Sequence, residues 1–200
     1  MMLYSFLLKI VNPIAKLVYS VRYKGLEHIP QGGKLIVCCN HRSVIDPVFV
    51  ALPFHRQIHY MAKSELFQDH GKFVHWFLYQ MGAFPVKRNS GDTESIRTAV
   101  QILEDGGVLG IFPQGKCVFD NAPFKPKAGV ALIAAKTKAP ILPVSIYCEG
   151  KIKPFCRVTV RYGKIIAYEE LHIQEDSLLS IREATDIIAK KINGMLEEKH

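Results

Sequence analysis

The stretch KLIVCCNHRSVIDP, residues 34–47, decides how this chain reads. Lys34–Cys39 is an apolar run of strand length, too short for a buried helix. Cys38 and Cys39 are neighbours, so on a strand their thiols point to opposite faces. Asp46-Pro47 reads as a helix start, with Pro in the first turn and Asp as the cap before it. Asn40-His41-Arg42-Ser43 lies between strand and helix. In sheets whose strands alternate with helices, ligands sit outside the carboxyl ends of the strands, so chemistry is expected in this turn. His41 and Asp46 are five positions apart. On one regular helix they would stand about 140° apart around the axis. With His41 in the turn and Asp46 at a helix start, they can meet. A carboxylate against an imidazole fixes its tautomer and stabilises its protonated form, which makes His41 a candidate general base for a hydroxyl proton. The alternative is structural: Asp46 a helix cap and His41 a turn residue satisfied by backbone.

Outward from this stretch, short apolar runs alternate with helical patterns. Helices are expected over roughly 3–20, His70–Gln80 (ending at Gly82), Lys127–Lys138 and Ser177–Leu196. A further helix runs to about Glu104, capped by Asp92 or Thr93, with Ile96, Val100 and Leu103 on one side. Strands are expected at Gln57–Ala62, Phe84–Lys87, Gly107–Phe112, Ile141–Tyr147 and Cys156–Arg161. The fold class is therefore α/β: a mixed, largely parallel sheet flanked by helices. No repeat, low-complexity stretch or linker marks a second domain. One domain is expected over 25–200, preceded by a distinct segment, 1–24.

That segment reads MMLYSFLLKIVNPIAKLVYSVRYKG through Gly25, with Lys9, Lys16, Arg22 and Lys24 and no acid before Glu27. A spanning helix needs about 20 mainly apolar residues, and Lys9, Asn12, Pro13 and Lys16 interrupt this one. It also lacks the order of charge, apolar core and small residues of a secretory signal. Two readings remain: amphipathic helices in a bilayer interface, with lysines at phosphate level, or a helix packed on the body.

The composition of the 200 residues, 48% hydrophobic and 22% charged, excludes a disordered chain. Twenty-six Lys+Arg against 18 Asp+Glu leave a net charge of +8, which points to an anionic partner: nucleic acid, a phospholipid surface or a phosphorylated substrate. No nucleic-acid-binding motif accompanies the charge. Lys151, Lys153, Arg157, Arg161 and Lys164 form a basic strand region that faces either anionic lipid or plain solvent. Five cysteines without a C-x-x-C argue against a disulfide framework or zinc ribbon and for a reducing compartment. His55 with His59, and His70 with His75, have no third ligand at fitting spacing, so no metal is expected. No G-x-S-x-G elbow is present, and Cys117 is only a speculative nucleophile.

Four blocks in order, spanning residues 40 to 144, resemble the glycerophospholipid acyltransferase family. Asn40-His41-Arg42-Ser43-Val44-Ile45-Asp46 matches that family's N-H-x4-D in full. Gly82-Ala83-Phe84-Pro85-Val86-Lys87-Arg88 matches G-x-[IF]-[FP]-x-x-R. Phe112-Pro113-Gln114-Gly115-Lys116-Cys117 resembles F-P-E-G-T-R-S but places Gln, Lys and Cys where that pattern has Glu, Thr and Arg. Gln keeps the shape and an acceptor oxygen but not the charge. Lys116 could return a cation one position early, without the Arg fork. Ala139-Pro140-Ile141-Leu142-Pro143-Val144 is similar to V-P-[IV]-x-P-V, and Phe124-Lys125-Pro126-Lys127-Ala128-Gly129 to the F-K-x-G segment.

The resemblance implies that His41 is the catalytic base and Asp46 orients it. It implies that Arg88, with Lys87 or Lys116, binds the substrate phosphate beside Gln114 and Gly115. The implied reaction is direct transfer of a fatty acyl group, without a covalent enzyme intermediate, from an acyl-carrier-protein or CoA thioester to the hydroxyl of 1-acyl-sn-glycerol 3-phosphate. The expected setting is the cytoplasmic face of a phospholipid membrane, without cofactor, metal or nucleic acid. The altered third block leaves two alternatives: another lysolipid acceptor, or an inactive relative that binds membrane or lysolipid.

Overall fold

The computed structural model describes residues 2–69, 71–86, 92–174 and 177–197. Its strands are β1 (Ser20–Lys24), β2 (Leu35–Cys39), β3 (Ile58–Lys63), β4 (Phe84–Val86), β5 (Val108–Ile111), β6 (Ile141–Cys148) and β7 (Arg157–Tyr162). Its helices are α1 (Met2–Val18), α2 (Asp46–Ala51), α3 (Glu65–Gln68), α4 (Gly71–Gln80), α5 (Thr93–Glu104), α6 (Gly129–Thr137) and α7 (Leu178–Glu197). The strands make one sheet in the order β1-β7-β6-β2-β5-β3-β4. β6 and β7 run antiparallel, and the other neighbours are parallel. The expected class, a mixed and largely parallel sheet flanked by helices, is the class observed.

β2 is central because all five of its residues are buried and both its edges are paired. Its side chains divide as strand geometry requires. Ile36 and Cys38 join the layer formed with Leu103 of α5, Ile133 of α6 and Ile188 of α7. Leu35, Val37 and Cys39 join the opposite layer with Phe49 and Val50 of α2. Each fully buried Ile or Leu contributes about 1.5–3 kcal/mol by leaving water, so the sheet is clamped from both faces. α5 starts where its cap places it: the Asp92 carboxylate accepts the Ser95 N–H at 3.1 Å.

The spacing pattern misplaced several features. Ser20–Lys24, assigned to the N-terminal segment, forms the edge strand paired with β7, so the sheet begins ahead of residue 25. Its side chains alternate between exposed and half-buried, as on an edge, and its pairing partner is remote in sequence. The short α3 was not anticipated. Arg161 is buried and donates to the Met195 carbonyl of α7 at 3.2 Å, so it is not part of a solvated basic face. His70 lies outside the described residues.

α1 is one helix running through Pro13. Tyr4, Leu8 and Ala15 are buried, so this stripe packs on the body. A second stripe, Ile10, Ile14 and Leu17, faces outward with increasing exposure: 45%, 55% and 79%. No helix among the described residues is long and apolar enough to cross a membrane.

Gly110 shapes the sheet near the site. A Cβ there would lie 2.3 Å from the Tyr60 ring. Its absence lets Tyr60 of β3 lie over β5 and donate its hydroxyl to the Pro47 carbonyl at 3.0 Å, which anchors the start of α2.

Candidate active site

His41 stands in the turn after β2 and Asp46 is the first residue of α2, as the strand–turn–helix reading required. His41 Nδ1 is 2.8 Å from Asp46 Oδ2. The same oxygen accepts the backbone N–H groups of Arg42 at 2.5 Å and Ser43 at 2.7 Å. Asp46 is therefore not a cap for its own helix: it closes the turn behind it. Its side chain is fully buried, whereas that of His41 keeps 14% exposure. A carboxylate oxygen can only accept, so Nδ1 carries the hydrogen and Nε2 is left as the ring's acceptor. Phe112 stacks on the imidazole, with centroids 4.2 Å apart and planes 21° apart, and fixes its orientation.

The rest of the turn is held as firmly. The Asn40 side chain clasps the backbone of β6 at two points: Nδ2 donates to Ile146 O at 3.0 Å, and Oδ1 accepts Ile146 N–H at 2.7 Å. Arg42 is 2% exposed. Its guanidinium donates to the carbonyls of Gly150 at 2.5 Å and of Phe119 and Cys148 at 3.3 Å, and to the Asn121 side chain. It ties the His41 turn to two loops. Nothing in N-H-R-S distinguishes such a buried arginine from a surface one, because its partners are carbonyls of loops remote in sequence.

The loop after β5 reaches His41 from three sides. Gln114 Oε1 accepts the His41 N–H at 2.5 Å, and Val118 N–H donates to the His41 carbonyl at 2.7 Å. Cys117 Sγ lies 3.3 Å from Nε2. The altered residue Gln114 thus uses its acceptor oxygen on the His41 backbone. Gly115 sits at φ +68°, where a side chain is strained. A Cβ there would also come within 3.1 Å of Lys127 Nζ. The cation beside this turn is accordingly Lys127, with its own N–H bonded to Pro113 O at 2.9 Å, while Lys116 is exposed and is not among the residues lining the groove. Lys127 was legible only as part of F-K-P-K-A-G.

A groove of about 870 Å³ opens beside His41. Met61, Val86, Ile96 and Val100 give it apolar walls, and Lys63, Arg97 and Lys127 supply cations. Lys87 and Arg88 lie outside the described residues; Val86 before them and Asp92 after them both line the groove. The structure brings together His41, Asp46, Gln114 and Gly115 of the expected site residues, and leaves Lys116 outside.

The Acyltransferase family model matches residues 20–147, which contain His41, Asp46, Gln114, Gly115 and Lys127. The chain belongs to the acyltransferase family. Over 199 residues it is 30% identical to the 1-acyl-sn-glycerol-3-phosphate acyltransferase of Bacillus subtilis, covering 98% of this chain and 96% of that one. It is also 30% identical over 125 residues to the protein of that name from Borreliella burgdorferi, covering 62% of this chain and 49% of the other. The crystal structure of the 1-acyl-sn-glycerophosphate acyltransferase PlsC from Thermotoga maritima shares the fold, with TM-score 0.70 and 23% identity, over 98% of this chain and 82% of that one. In this acyltransferase, burial keeps the thiols of Cys38 and Cys39 well above the usual thiol range and raises that of Cys148 to about 11. Cys117 is the half-buried thiol that meets the His41 imidazole.

Proposed function

We propose that this protein transfers a fatty acyl group from an acyl thioester to the free hydroxyl of 1-acyl-sn-glycerol 3-phosphate, giving phosphatidic acid. The donor is acyl-carrier protein or CoA, and the setting is the cytoplasmic face of a phospholipid membrane. The observation that carries this reading is the Asp46–His41 pair, with His41 lining an apolar groove that has cations among its lining residues. The near full-length likeness to the Bacillus subtilis protein supports the choice of acceptor.

His41 Nε2 takes the hydroxyl proton as the acceptor oxygen attacks the thioester carbonyl, and Asp46 stabilises the imidazolium that forms. The tetrahedral oxyanion collapses, the thiolate leaves, and His41 returns the proton to it. Gly115 N–H is engaged with Phe112 O at 3.0 Å, so oxyanion donors would come from other backbone N–H groups of the 114–117 turn. Lys127, with Arg88 or Lys87, holds the acceptor phosphate and places its hydroxyl near the base. No step calls for a cofactor.

The changed third block favours one variation, an acceptor with another headgroup. The test is acyl transfer in detergent with both donor thioesters, offered 1-acylglycerol 3-phosphate beside lysolipids carrying choline, ethanolamine or glycerol headgroups. Preferred conversion of the lysophosphatidic acid is expected. Conversion of another lysolipid in its place would move the assignment to that acceptor, and no conversion of any would leave a binding protein.

A further inference from the structure

The turn between β6 and β7 is built to expose an aromatic ring at a cost in backbone strain. Lys153-Pro154-Phe155-Cys156 is closed by Cys156 N–H donating to Lys153 O at 3.1 Å. Pro in the second position suits such a turn, but the third position sits at φ +66°, where glycine is the usual residue. Here it is Phe155, 84% exposed, the most exposed large apolar side chain among the described residues. A bulky residue in this region is disfavoured, and the fold gains no burial from it.

The turn does not stand alone. Phe155 N–H donates at 2.7 Å to Val18 O, one of the carbonyls left over at the end of α1. This bond joins the turn to the C-terminal end of α1, whose outward Ile10, Ile14 and Leu17 follow an i, i+4, i+7 spacing and become more exposed toward that end. Exposed cations frame the line: Lys9 on the helix, and Lys151, Lys153 and Arg157 around the turn, against one acid there, Glu149. Lys151 Nζ lies 6.0 Å over the ring of Phe119, which is itself exposed and two residues beyond Cys117.

We propose that the β6–β7 turn, with Phe155 at its tip, is a bilayer-insertion point that works with the outward stripe of α1, and that its occupant is an anionic phospholipid surface. Apolar tips between lysines suit a headgroup boundary, where rings enter the acyl edge and ammonium groups meet phosphate. Two contact points, one on the helix and one on the hairpin, fix how the domain lies on the bilayer and bring the loop carrying Cys117 close to it. The proposal rests on the reading of this protein as an enzyme of lipid acceptors.

The test is co-sedimentation of the full chain with phosphatidylcholine vesicles, with and without phosphatidylglycerol. Phe155→Gly relieves the strained φ, so its melting temperature should be no lower than that of the wild type, and acyl transfer in detergent micelles should be unchanged. Its partition onto phosphatidylglycerol-containing vesicles should nevertheless fall about tenfold. Lys151→Glu and Lys153→Glu should each weaken that partition at least about fivefold, with little effect on vesicles of phosphatidylcholine alone. Unchanged partition of Phe155→Gly would overturn the proposal. So would a wild-type dimer dissolved by Phe155→Gly while vesicle binding persists, since the face would then be an interface between copies. Absence of acyl transfer by the wild type would strike the enzymatic reading and leave the vesicle result standing.

Discussion

The turn after β2 and the loop after β5 meet at His41, and they are built differently. In the first, Asn40, Arg42 and Asp46 are buried and their polar atoms hold backbone groups. In the second, Lys116 and Phe119 are exposed, and the contacts with His41 use one amide oxygen, one backbone N–H and one thiol. The difference explains why one block matches its family pattern in full while the other departs from it. A buried carboxylate taking three N–H groups on one oxygen cannot be exchanged without stranding them. An acceptor oxygen on a loop can come from Glu or from Gln, and a cation can come from another position of the same loop. The turn that holds His41 and Asp46 is tightly specified, and the loop after β5 is freer to vary.

Changes in the two segments should therefore differ in size. The largest loss is expected in the turn. Asp46→Asn replaces the acceptor facing His41 Nδ1 and disturbs the tautomer, so kcat should fall at least about 100-fold with the fold retained by circular dichroism. A milder loss would mean that Asp46 serves the turn alone. Alkylation of Cys117 comes next. Its thiol lies against Nε2, whereas burial keeps Cys38 and Cys39 in the unreactive thiol form. Iodoacetamide at neutral pH should inactivate the wild type and spare Cys117→Ala, with the modified residue identified by peptide mass spectrometry. Inactivation of both proteins would place the sensitive thiol elsewhere.

Within the second segment the effects should be graded. Gln114→Leu leaves the His41 N–H without its acceptor, at a cost of about 1–3 kcal/mol, read as slower turnover. Gln114→Glu keeps an acceptor and should be the milder of the two. A reversed order would mean that residue 114 acts on substrate rather than on the His41 backbone. The smallest effects separate the two lysines. Lys127→Ala should raise KM for the phosphate-bearing acceptor about tenfold through loss of a charge-assisted contact, while Lys116→Ala should stay within about twofold, as for an exposed charge. Steady-state kinetics that reversed these two would return the cationic role to Lys116.

Local features were legible in the sequence. The five apolar residues of β2, the alternation that sends Cys38 and Cys39 to opposite layers, and the Asp92 cap of α5 each depend on a few neighbouring residues. The meeting of His41 with Asp46 was legible because a turn and a helix start are themselves local signals. Long-range features were not. β1 is a short, half-polar edge whose partner lies near the other end of the chain. Cys117 is 76 positions from His41, and only the return of the β5 loop brings them together. Lys127 reaches Gly115 because its N–H is bonded back to Pro113, a fold of the loop that no spacing rule reports. Arg42 gave no sign of its burial, because its acceptors are carbonyls that take their places only after β6 and the loop after β5 are set.

The most direct test of the central claim, that His41 is the base that activates the acceptor hydroxyl, is acyl transfer to 1-acylglycerol 3-phosphate by wild type and His41→Ala side by side, in detergent, with acyl-carrier-protein and CoA thioesters as donors and the fold of both proteins checked by circular dichroism. Product from the wild type and a loss of about 10²–10⁴-fold in the folded variant is the result expected of a general base. A folded His41→Ala protein that turns over at the wild-type rate would contradict it.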